Sequence, residues 1–181
     1  MGKLFSIGMI GSSLISIPIS SLPNHENLFL FLIGLFTIYL VLAGNSALTF
    51  KKKIEADWTD FTISTLMMIF TIIMIVVGIY DATNGNNFSI LYLFFGGFGM
   101  LLTINDFRFY KNPRITKNAW LITHLGKMNG ALIASITAFL IAGAGSKSFF
   151  AWLAPTLIGT FYILYWKRKM KFRPILQKEI S

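Results

Sequence analysis

The sequence predicts an all-α integral membrane bundle of about six transmembrane helices with both termini on the cytoplasmic side (N-in/C-in). Three observations carry this: long uncharged windows, basic residues confined to one set of loops, and aromatic residues at the window ends. Only 13% of the 181 residues are charged and 55% are hydrophobic, whereas soluble domains carry about 25% charged residues. Six windows contain no Asp, Glu, Lys or Arg: 4–25, 27–50, 61–80, 82–105, 128–146 and 148–166. About 20 apolar residues in a helix cross the hydrocarbon layer. The expected spans are therefore 4–22, 28–50, 60–80, 88–106, 119–144 and 149–166, in a single domain over residues 1–181. No linker, low-complexity tract, repeat or soluble domain interrupts them.

The loops give the orientation. Alternating spans put Lys3, Lys51–Lys53, the 107–118 loop, Lys127 and the tail from Lys167 on one side, and leave only Lys147 on the other. Basic residues near span ends stay cytoplasmic. Trp58, Tyr80, Trp120, Trp152 and Trp166 fall near span ends, at the level of the lipid headgroups that amphipathic rings prefer. The tail from Lys167 to Arg173 reads as a topology signal, or further as a surface for anionic lipid headgroups. The net charge of +9 does not point to nucleic acid, because the basic residues sit between and after the apolar windows, not among base-stacking aromatics.

The first span resembles a signal peptide in its charged start and apolar run. It lacks an A-x-A-like cleavage site, and Gly8, Ser12, Ser16 and Ser20 form a small-residue stripe, so a retained, packed helix is expected. Gly2 and Ser6 fit a weak myristoylation pattern, a chance match when a span begins at once. Stretches of the third and fourth windows, Leu66 to Ile79 and Ile90 to Leu102, are apolar on every face. Pro18 and Pro155 are expected to kink the first and sixth spans locally. They do not occupy matching positions of two halves, so no internal symmetry supports a transporter.

The fifth span carries the clearest packing signal. Gly126, Gly130, Ala134, Ala138 and Ala142 recur every fourth residue, a face expected at the bundle centre, with Gly96, Gly97 and Gly99 of the fourth span as its partner.

Polar residues gather at the cytoplasmic span ends: Asn45, Asp57, Asp60, Asn105, Asp106, His124, Lys127 and Asn129. The candidate site is His124, Lys127, Asn129, Asp60, Asp106 and Asn45, because ionisable groups at membrane depth are costly unless paired or hydrated. The plainer reading is a structural polar belt in which Lys127 snorkels to water or pairs with Asp60 or Asp106. No cofactor or metal is expected. The chain has no cysteine and only two histidines, His25 and His124, which the topology puts on opposite sides. No nucleophile–base set has a recognisable spacing, so no catalytic residue is expected.

The segments from Tyr39 to Gly44 (Y-L-V-L-A-G), Asp57-Trp58, and His124-Leu125-Gly126-Lys127-Met128 with Gly130-Ala131 and Thr137-Ala138-Phe139 resemble a family of uncharacterised bacterial multi-pass inner-membrane proteins. Its most specific part is the H-L-G-[KR]-M block. The resemblance implies a helical bundle in the bacterial plasma membrane and no particular activity. Longer members carry one more span, ending in a His-Arg pair before a Gly-[KR]-x-[FY] stretch. The chain is expected to start at that stretch, with Gly2-Lys3-Leu4-Phe5, and so to be a truncated form.

The expectation from sequence is a non-enzymatic membrane component for binding, assembly or small-solute handling, with the bilayer as its main partner. A protein partner would be a second copy or another membrane protein. The alternatives are a transporter or channel using the polar cluster, and a haem-binding redox protein using His124.

Overall fold

The computed structural model describes residues 2–22, 28–85, 89–113, 118–140, 144 and 149–171. The described residues form six helices and no strand: α1 (Gly2–Ile19), α2 (Leu28–Thr49), α3 (Trp58–Thr83), α4 (Ser89–Lys111), α5 (Ala119–Ala138) and α6 (Phe149–Lys171). Among them α1, α3 and α4, with residues 30–49 of α2, are long and apolar enough to cross a membrane. Helix α5, which carries His124, Lys127 and Asn129, is not among those four.

The helix ends follow local chemistry. At the start of α3 the Asp60 carboxylate accepts the Asp57 backbone N–H at 2.8 Å, covering a donor that the first turn leaves unpaired. At its far end the Asn84 amide donates to the Tyr80 carbonyl at 3.1 Å. Gly85 then turns the chain at φ 73°, a conformation that costs glycine little.

Helix α2 is the centre, packed against α1, α3 and α5; α4 runs along α3 and also meets α2 through Phe95 and Phe98, and α6 packs against α5. Neighbouring helices run antiparallel. Residue numbers fall along α4 as they rise along α3: Ser64 meets Asp106, Thr71 meets Gly99, and Gly78 meets Leu93. The same holds for α2 and α5, where Leu40 meets Gly130 and Gly44 meets Lys127. The core gathers on α2, with Leu32, Ile33, Phe36, Tyr39, Leu40, Val41 and Ala43 buried against Met67 and Met74 of α3, Phe95 of α4, and Ala131 and Ala134 of α5. The outward faces are apolar too. Leu66, Ile69, Ile73, Val76 and Ile79 of α3 are all exposed, as are Ile158 and Phe161 of α6.

The packing faces differ from those expected. On α1 the residues turned inward are Ser6, Met9 and Ser13, with Ser16 close against Gly34 of α2 and Ser20 buried just past the helix end. Gly8 has open space where a Cβ would stand, and Ser12 is exposed. A strict four-residue spacing drifts round a helix of 3.6 residues per turn, whereas alternating steps of three and four stay on one side. Helix α5 departs only in part, since Ala134 of the expected stripe is buried and Gly130 meets Leu40 of α2. Lys127, Ala131, Ala134 and Thr137 are its buried inner residues, while Gly126 and Gly130 are half-buried. Ala138 packs partly on the core, and Ala142 lies outside the described residues. Nor do the α4 glycines serve α5. Gly96 and Gly99 sit against Thr71, Ile75 and Met67 of α3, and Gly97 faces open space.

Candidate functional site

One end of the bundle holds two acid–base clusters. The deeper one is built on Asp106 of α4. Its Oδ2 accepts the Lys127 Nζ at 2.7 Å, the Tyr39 hydroxyl at 2.6 Å and the Ser64 hydroxyl at 3.2 Å. Lys127 also donates to the Tyr39 oxygen and stands 4.2 Å from the centre of that ring. Asp106 is 3% exposed and Lys127 4%, so neither charge reaches water. Tyr110 continues the chain of contacts, pairing with Ser64 at 2.9 Å and donating to the Asp60 carbonyl at 3.3 Å. Four helices thus supply one network. A buried charge is tolerated only with such partners, and stripping one away typically costs 3–5 kcal/mol.

The second cluster lies where α2 turns into α3. Asp60, 1% exposed, accepts the Ser46 hydroxyl and the Lys53 ammonium. Lys53 also reaches Asp57 at 2.8 Å. Burial alone would lower the Lys53 pKa, but the hydrogen bonds and charges of Asp57 and Asp60 outweigh it and raise the value above 10.5.

Of the sequence candidates, Asp106 and Lys127 come together as a pair, and Asp60 joins Lys53 instead. His124 stands apart from both clusters, its Nδ1 2.7 Å from the Gly44 carbonyl oxygen of α2. Asn45 accepts the Ser6 hydroxyl at 3.2 Å and ties α1 to α2. Asn129 is half-buried and belongs to neither cluster. His25 lies outside the described residues. Among the described residues no group of three metal-ligating side chains assembles.

Tyr39, Ser64 and Tyr110 were not evident as site residues. Two of them had a signal: Ser64 and Tyr110 each lie four residues beyond a candidate carboxylate, Asp60 and Asp106, and so share its helix face. Tyr39 had a weaker one, a phenol ten residues inside an apolar helix.

The Tyr39–Gly44 and His124–Met128 segments face each other. Tyr39 bonds Lys127, the Gly44 carbonyl meets His124, and a Cβ on Gly44 would stand 2.9–3.0 Å from Met128 and Lys127. Glycine at 44 lets α5 approach α2 closely enough for Lys127 to reach its partners.

Beside the pair runs a cavity of about 500 Å³ between α2, α4, α5 and α6, within the size range of small-ligand sites. Phe94, Phe98 and Leu102 form one wall and Ile133, Ile163 and Leu164 the other, with Gly126 and Gly130 on its floor. Asn105, Asp106, Thr123 and Lys127 make its polar end, and Thr137, Thr156 and Thr160 add hydroxyls along its length. The small residues of α5 therefore leave room for this space as well as for a neighbouring helix. A second cavity, of about 340 Å³, lies between α1, α2 and α5 and is lined by Ser12, Ser13, Ser16, Thr37 and Ser135. Ile33 borders both.

The chain matches none of the protein-family models, curated proteins or solved structures compared with it.

Proposed function

We propose that this chain is a six-span protein of the bacterial plasma membrane, N-in/C-in, whose cavity binds a small, largely apolar molecule without transforming it. The observation that carries the reading is the apolar cavity bordered at its polar end by the buried Asp106–Lys127 pair. The exposed isoleucines, leucines and valine of α3 support the bilayer setting, since a water-facing surface rarely presents so continuous an apolar patch. The side holding Lys51–Lys53, Arg108 and Lys111 is the cytoplasmic one by the positive-inside rule. The facing contacts of the Tyr39–Gly44 and His124–Met128 segments support kinship with the inner-membrane family they resemble.

Two experiments test this. The cysteine-free chain accepts single cysteines. A cysteine at Lys52 should resist an impermeant thiol reagent in intact cells, and one at Gly85 should react; the reverse pattern contradicts the orientation. For binding, a neutral lipophilic fluorescent probe should bind the detergent-purified protein saturably, and Ala134→Phe, which fills the cavity, should abolish that binding. Non-saturable binding, or binding untouched by the filled cavity, overturns the reading.

A transporter is the second reading, favoured by the two cavities that meet at Ile33. It would use Asp106 and Lys127. His124, held against Gly44, would have no part in the path. Solute flux into proteoliposomes, lost in Ile33→Trp, tests it.

A further inference from the structure

We infer that the occupant of the large cavity is one acyl tail of an anionic phospholipid drawn from the cytoplasmic leaflet, with its phosphate held by Arg108 and Arg168. The inference rests on the cavity-binding reading and names the ligand class.

Shape comes first. The cavity follows α5 from Ile122 to Thr137, roughly 22 Å at 1.5 Å per residue. That is long and narrow for its volume, and longer than the ~15 Å of hydrocarbon in one leaflet. Its walls are mostly aromatic and branched aliphatic side chains, with three threonine hydroxyls along its length and the ionisable groups, Asp106 and Lys127, at one end. A compact polar solute would leave those walls unsatisfied. A single flexible chain running parallel to the helices would cover them.

Charge comes second, and it is found just beyond the polar end. On α4, Leu101 and Asn105 line the cavity, and Arg108 lies on the same helix face one turn further toward the basic side. On α6, Thr160 and Leu164 line it, and Arg168 again follows one turn later on that face. Both arginines are exposed. Two exposed guanidinium groups, one on α4 and one on α6, therefore lie one turn beyond the polar end of the cavity, on the basic side. A guanidinium fork suits phosphate oxygens better than an ammonium does. Lys127 is already neutralised by Asp106, so the deep pair offers polar contact and no net charge. Selection for an anion falls to the two arginines.

The test is competition against the neutral lipophilic probe on the purified full-length protein. Phosphatidylglycerol should displace the probe at roughly 20-fold lower concentration than phosphatidylcholine of the same chains. Arg108→Gln with Arg168→Gln should remove most of that difference while leaving probe affinity unchanged. Equal displacement by the two lipids, or a preference that survives the double substitution, overturns the lipid assignment and leaves the cavity reading standing. Failure of the wild-type protein to bind the probe overturns both.

Discussion

The two acid–base clusters pair the same residue types and are built in opposite ways. Lys53, Asp57 and Asp60 lie within one turn-and-cap segment, and water reaches Lys53 and Asp57. Tyr39, Ser64, Asp106 and Lys127 come from four helices, and their contacts span 21 to 88 residues of sequence. The first cluster fixes where a helix begins. The second fixes how four helices stand together, and it borders the cavity of about 500 Å³. Identical chemistry therefore does local work where its lysine meets water and architectural work where it does not. Burial of the cation and sequence separation make the difference.

Substitutions can break this contrast. The largest effect belongs to Lys127→Leu, which strands the Asp106 carboxylate away from water; a loss of 3–5 kcal/mol is expected, read as the unfolding free energy in mixed micelles. Tyr39→Phe comes next. It removes the hydroxyl that donates to Asp106 at 2.6 Å and should cost about 1.5–3 kcal/mol, the range for a hydrogen bond to a charged group. Asp60→Asn should cost less, about 1 kcal/mol, as an amide oxygen can still cap the Asp57 N–H. A loss at Asp60 equal to that at Lys127 would erase the distinction between the clusters.

The smallest effect is in pH. The folded-state pKa of Lys53 is raised above 10.5, so its stabilising contribution is complete below that value and fades only as pH climbs through the folded pKa. Lys53→Met should therefore cost the same at about pH 7 and about pH 9, and at most ~1 kcal/mol given the exposure of the pair. A cost that shrinks across that interval would contradict the assignment.

The same contrast explains what could be read from the chain in advance. The expected spans agree with the helices to within a few residues at most ends, because uncharged length is a local property. The largest differences are at α5, which ends at Ala138 where the expected span runs to 144, at α4, which runs on to Lys111, and at α6, which runs on to Lys171. Helices α4 and α6 continue past the end of the uncharged window. Asp106 and Lys127 were recognisable because charge is scarce in such windows. Their pairing with each other, in place of Asp60, was not. That choice depends on how α4 and α5 are set relative to α2, and no single helix encodes it. Small-residue stripes misled for a related reason. A four-residue spacing names small residues without saying whether a helix or a cavity fills the space they leave, and for Gly126 and Gly130 it is in good part the cavity.

The most direct test of the account is a double-mutant cycle at Asp106 and Lys127, each replaced by Leu, singly and together, with unfolding measured in mixed micelles. A buried pair that depends on mutual neutralisation predicts that the double variant is no less stable than either single variant, with a coupling of about 2 kcal/mol or more. Losses that simply add would mean that the two charges are solvated separately, and the buried network at the end of the cavity would not exist.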